Sequence, residues 1–225
     1  MVEPHPRTSG VAKHPRTWIG YCGAGEFLGM AIGGTTMFAV NRWLGPGVDS
    51  DTRMLALAVM LLAGVAEGSL IGFFQWRVLR RLLPGITAKS WIGVTILAAV
   101  IGWGLGMMPA GLLTEQAGNT SFASPLWQML LGGIGMGLVL GALFGLMQNM
   151  VLKHFVANQW QWPLYNTLGW GAAMGWVFLG AALIGPSWPV AAVIAIAALA
   201  GGLGGLSLGA ITAIFLVRKG VLNPR

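Results

Sequence analysis

Charge is what this sequence has least of: Asp, Glu, Lys and Arg together make up 8% of 225 residues, against 56% hydrophobic residues and 36 glycines. A water-soluble domain could hardly cover its surface with so few polar groups, so lipid is the expected solvent for most of the chain. Cysteine occurs once, as Cys22 inside an apolar run, which excludes a disulfide framework and a cysteine metal cluster within one copy of the chain. Histidine is almost as scarce. His5 and His14 lie near the N-terminus and His154 at the edge of an apolar run, so none sits deep enough to ligate a haem or chlorophyll-type pigment. Phosphate loops and metal motifs are missing. Gly205-Leu206-Ser207-Leu208-Gly209 matches GxSxG in letters, but it lies within an apolar run with no acid and histidine nearby to complete a triad. No catalytic residue, metal or cofactor is therefore expected. No stretch between apolar runs is long enough to bury a core of its own, which points to one domain.

What is present is long apolar runs. A membrane helix needs about 20 mostly apolar residues at about 1.5 Å each to cross roughly 30 Å of hydrocarbon. Six windows qualify: Trp18 to Val40, Met54 to Trp76, Trp91 to Met108 (extendable through Pro109 to Leu113), Trp127 to Leu152, Pro163 to Ile184, and Val190 to Val217. The fold class expected is all-α, a six-span helix bundle over 18–217, with residues 1–17 a disordered tail and 218–225 a short second tail. The first run is too long for a signal-peptide core and lacks a clear small-residue cleavage site, so the first span is expected to be retained. Of the 13 Lys and Arg residues, only Arg42 and Arg53 fall on one side of these spans. The other eleven fall on the other side, which the positive-inside rule places in the cytoplasm together with both termini. Arg77, Arg80, Arg81, Lys153, Arg218 and Lys219 are the expected contacts to anionic lipid head groups. The net charge of +7 does not imply nucleic acid, because the basic residues flank apolar runs instead of forming a stripe interleaved with aromatics. Trp18, Trp43, Trp76, Trp91, Trp127, Trp160, Trp162 and Trp188 fall near predicted span ends, where an amphipathic ring suits the head-group level.

A shift of 73 residues lays Trp18-Ile19-Gly20 on Trp91-Ile92-Gly93, and Gly64, Gly68, Gly72 and Gln75 on Gly137, Gly141, Gly145 and Gln148. The same shift carries Gly102-Trp103 onto Gly175-Trp176. After a deletion of about nine residues, Gly141, Gly145, Gln148 and Leu152 meet Gly205, Gly209, Thr212 and Leu216. The unit is a two-span hairpin occurring over 18–81, 91–154 and 164–218, and an even number of spans keeps all copies in one orientation, related by an approximate threefold axis along the membrane normal. In each even span the glycines recur every fourth residue and so share one helix face. Such a face either packs against a neighbouring helix or lines a substrate groove.

The pattern Gln75-Trp76-Arg77-Val78-Leu79-Arg80-Arg81, followed by Trp91, Thr95 and Gly102-Trp103, resembles a broad group of uncharacterised bacterial multi-span proteins. Its second copy runs from Gly141 through Gln148, Lys153 and His154 to Trp162, Asn166 and Gly169-Trp170. The resemblance covers roughly 64–176 and weakens in the last span, where Thr212 replaces the glutamine. It implies architecture, in a bacterial plasma (inner) membrane, and transfers no catalytic residue.

Two ionisable residues fall well inside the hydrocarbon, Glu26 and Glu67. Glu26 is eight residues in from Trp18 and Glu67 eight before Gln75, so on antiparallel neighbours both reach about 12 Å from the cytoplasmic edge. They either share a proton or grip a cation, or each separately bonds a backbone carbonyl, Cys22, Ser69 or a tryptophan indole. Gln75, Gln148, Thr212, Thr95 and Asn166 are expected to bond between helices. The reading favoured by these features is a non-catalytic scaffold or accessory subunit that packs with other membrane protein subunits. A proton, cation or small-solute transporter using Glu26 and Glu67 is the alternative, and a binder of lipid or another hydrophobic ligand is the second.

Overall fold

In lipid a backbone satisfies its own polar groups by coiling into helices. The computed structural model describes residues 13–43, 49–111, 125–185 and 187–221. Among these it has six α-helices: α1 (Lys13–Trp43), α2 (Ser50–Leu82), α3 (Ala88–Gly111), α4 (Leu126–Leu152), α5 (Trp162–Leu183) and α6 (Val190–Arg218). Four of them, α2, α4, α6 and the Ala88–Met107 part of α3, are long and apolar enough to cross a membrane. At 31 and 22 residues, α1 and α5 have the length but are less apolar along it and do not qualify by composition. All six expected windows are thus helical, four helices qualify as spans by composition, and the fold is all-α. Helix α1 starts at Lys13, inside the stretch read as a tail, and α3 continues to Gly111 as its window allowed. Residues 1–12 of the expected N-terminal tail and most of the short C-terminal tail lie outside the described residues.

Local chemistry sets the helix ends. The Asp49 carboxylate caps α2, accepting from the Thr52 amide at 2.8 Å, and this bond holds its carboxyl below the usual carboxylate range. Thr87 Oγ1 likewise accepts from the Ser90 amide at 3.1 Å at the start of α3. At the end of α6, Gly220 takes φ 72°. Its amide donates to the Val217 carbonyl at 3.0 Å, the Val221 amide donates to Leu216 at 2.9 Å, and Val221 turns back into the core.

Each helix packs against its chain neighbours, and α6 packs against α1, closing a ring; α3 and α4 touch least. The glycine faces decide the tight pairs. Gly64, Gly68 and Gly72 of α2 meet α3, Gly137, Gly141 and Gly145 of α4 meet α5, and Gly201, Gly205 and Gly209 of α6 meet α1. A Cβ on Gly141 would lie 2.5 Å from Thr167 Cα, and one on Gly205 2.6 Å from Glu26 Cβ. Neighbouring backbone fills these faces, so they pack helices and leave no substrate groove. The apolar core is layered. One cluster, at the end where α2, α4 and α6 finish, contains Leu79, Leu152 and Leu216. The next contains Ile71, Phe144 and Leu208, and a small third lies near the opposite end between α1 and α2 around Met60.

Candidate functional site: a buried polar belt and two carboxyl groups

Between the first two apolar layers lies a belt of hydrogen bonds. Trp18 at the start of α1 donates from Nε1 to Thr212 Oγ1 on α6 at 3.0 Å. Trp91 at the start of α3 donates to Gln75 Oε1 on α2 at 3.2 Å. Trp162 at the start of α5 donates to Gln148 Oε1 on α4 at 3.1 Å. Gln148 Nε2 donates onward to Gln75 Oε1 at 3.0 Å and Thr95 Oγ1 at 3.2 Å, and Gln75 Nε2 to Cys22 Sγ at 3.8 Å. Trp162 brings the three indoles together, its ring centroid 6.3 Å from those of both Trp18 and Trp91.

The belt includes Gln75, Gln148, Thr212 and Thr95 as groups bonded between helices. Thr95 and Thr212 also donate to carbonyls of their own helices, at 2.8 and 2.7 Å. Asn166 is buried, but its Nδ2 donates to the Trp162 carbonyl on its own helix at 3.1 Å. That bond is intrahelical, because Asn166 stands one turn after Trp162 and its amide reaches back along α5. Trp18, Trp91 and Trp162 do not meet head groups as expected: each is at most 1% exposed, and its N–H finds a partner inside the bundle. Trp43, Trp127, Trp160 and Trp188 remain exposed. Sequence reasoning missed the three donors, although each has a polar or thiol residue four positions on: Cys22, Thr95 and Asn166. Trp162 lies two residues short of the 73-residue shift from Trp91, and the shift had instead set Gly175-Trp176 against Gly102-Trp103. Those two tryptophans have unlike partners, Glu67 for Trp103 and Ser207 for Trp176.

Glu26 and Glu67 are 3% and 6% exposed, deeper in the bundle than the belt. Glu67 lies where α1, α2 and α3 meet: a Cβ on Gly29 would stand 2.8 Å from its Cγ, and the Trp103 indole donates to its Oε2. Glu26 packs its stem over Gly205 of α6, and its Oε1 is buried without a hydrogen-bond partner. Gly29, whose added Cβ would meet the Glu67 stem, stands one turn after Glu26 on α1, so the two carboxyl side chains are neighbours across α1 and α2. Cys22, one turn before Glu26 on α1, connects this pair with the belt through Gln75. Among the described residues no group of three or more His, Cys, Asp or Glu side chains is placed to hold a metal ion.

Arg77, Arg80, Arg81, Lys153, Arg218 and Lys219 gather where α2, α4 and α6 end. Arg80 lies over the Trp76 ring at 4.8 Å and Lys219 over Phe215 at 5.8 Å. Arg218 donates to the Tyr165 hydroxyl at 2.8 Å. These contacts hold the cations of this group at one end of the bundle. No protein-family model, curated protein or solved structure matches the chain.

Proposed function

We propose that the chain is a six-span, non-catalytic membrane protein acting as a scaffold or accessory subunit, with both termini cytoplasmic and three hairpins set around an approximate threefold axis. The observation that carries this reading is the bonding of the belt. Its glutamine, threonine and indole groups bond one another, Cys22 or their own helices, which rigidifies one end of the bundle and leaves no converging set of free polar groups for a substrate among the described residues of the belt. The repeat has independent support. Each even helix accepts, at Gln75, Gln148 or Thr212, a bond from a tryptophan at the start of the odd helix against which its glycines pack. The residues four before and four after these positions, Ile71, Phe144 and Leu208, then Leu79, Leu152 and Leu216, fall in common core layers. Partner subunits fit the outer faces, where Gly132 and Gly135 of α4 are exposed with open space beside them.

Purification from the native membrane without crosslinker tests the assignment. Co-purifying membrane subunits, lost together with function when α4 carries Gly132→Leu and Gly135→Leu, are the expected outcome. A lone protein that supports proton-coupled flux in liposomes would replace it with the transporter reading, which the unpartnered oxygen of Glu26 favours.

A further inference from the structure

We propose that Glu26 and Glu67 form a binding site for a single proton, with Glu26 as the protonated member and Glu67 as the carboxylate. The inference stands whether the protein is a scaffold or a transporter.

The assignment follows from what faces each group. Glu67 accepts a hydrogen bond from the Trp103 indole, and a donor aimed at a carboxyl oxygen favours the anion. Among the described residues no donor is seen on Glu26, and its buried Oε1 is unpartnered. An ionised carboxylate buried without donors is the costliest state available to it, whereas the neutral acid removes the charge at the cost of an unused acceptor. Among the described residues no cation compensates that charge. Cys22 on α1 and Glu67 on α2 are the titratable neighbours, α6 presents Gly201 and Gly205, and α3 presents Trp103. Every basic residue in the described parts of α1, α2, α3 and α6 lies within about two turns of a helix end. Two carboxylates whose charges interact in a low dielectric cannot both ionise cheaply, so the first proton goes to the member without a donor. A metal cation is the poorer occupant. It would need several more oxygen ligands, and among the described residues no third His, Cys, Asp or Glu side chain joins the pair to hold one.

Infrared spectroscopy of the whole protein in lipid bilayers, near neutral pH, reads this directly. Wild type should show the carbonyl stretch of a protonated carboxylic acid, shifted when glutamate alone is carbon-13 labelled, which assigns it to Glu without any mutation. Glu26→Gln should abolish the band, and Glu67→Gln should retain it. Absence of the band from labelled wild type overturns the proposal, as does its survival in Glu26→Gln. A band of which each variant removes about half means two protons and overturns the single-proton assignment. A band that appears only after sodium and potassium are withdrawn makes the pair a cation site and also overturns it.

Discussion

Gln148 uses both ends of its amide inside the bundle, donating to Gln75 and Thr95 and accepting from Trp162. Leucine has nearly the same size but neither function, so Gln148→Leu would leave the Trp162 N–H and one acceptor lobe of Gln75 unpaired at once. Each buried unpaired group costs about 1–3 kcal/mol in water-soluble proteins, and the lower end applies where the unfolded state also sits in lipid. Gln148→Leu is therefore expected to destabilise the protein by about 2 kcal/mol, and Thr212→Val, which unpairs the single donor Trp18, by about half as much. Thermal unfolding in one detergent compares the two. Equal losses would mean that Gln148 does not join α2, α3, α4 and α5 as the bonds indicate. At this scale the sequence points to the acceptors but not to their donors. An indole suits the head-group level and a buried hydrogen bond equally well, and only the placement of an acceptor on another helix decides between them.

A helix with glycine at every fourth position has a face that must meet something, and the spacing in α2, α4 and α6 makes that plain. Which neighbour it meets is another matter. These faces meet α3, α5 and α1, each the first helix of another hairpin, and not the odd helix of their own. The pairing can be tested with alanine, which is small enough to report space alone. Gly141→Ala places a methyl group against the backbone of α5 and is expected to cost about 1–3 kcal/mol through overpacking. Gly93→Ala, on the exposed face of α3 with nothing within 4 Å, should be neutral or stabilising by up to about 1 kcal/mol, as helix propensity dictates. Reversible unfolding with a denaturing detergent measures both. A harmless Gly141→Ala would place α4 farther from α5 than the structure has it.

The whole chain carries an asymmetry of eleven basic residues to two, from which both termini are expected in the cytoplasm. With Cys22 replaced, single cysteines at Ser50, Asn119 and Asn223 should divide cleanly. An impermeant thiol reagent applied to intact cells should label the first two and spare the third, and labelling of Asn223 alone would reverse the orientation.

The helical class, the number of helices and the two buried carboxyl groups are determined by sequence, because they follow from local composition: an apolar run of about 20 residues has few other forms in lipid. The closure of α6 on α1, the identity of the indole donors and the unequal surroundings of Glu26 and Glu67 were decided by tertiary structure alone. Each depends on which face a helix turns to a neighbour distant in the chain, as when Trp18 meets Thr212 across 194 residues. Glycine and tryptophan patterns are compatible with several such pairings, and close packing of the backbones selects among them.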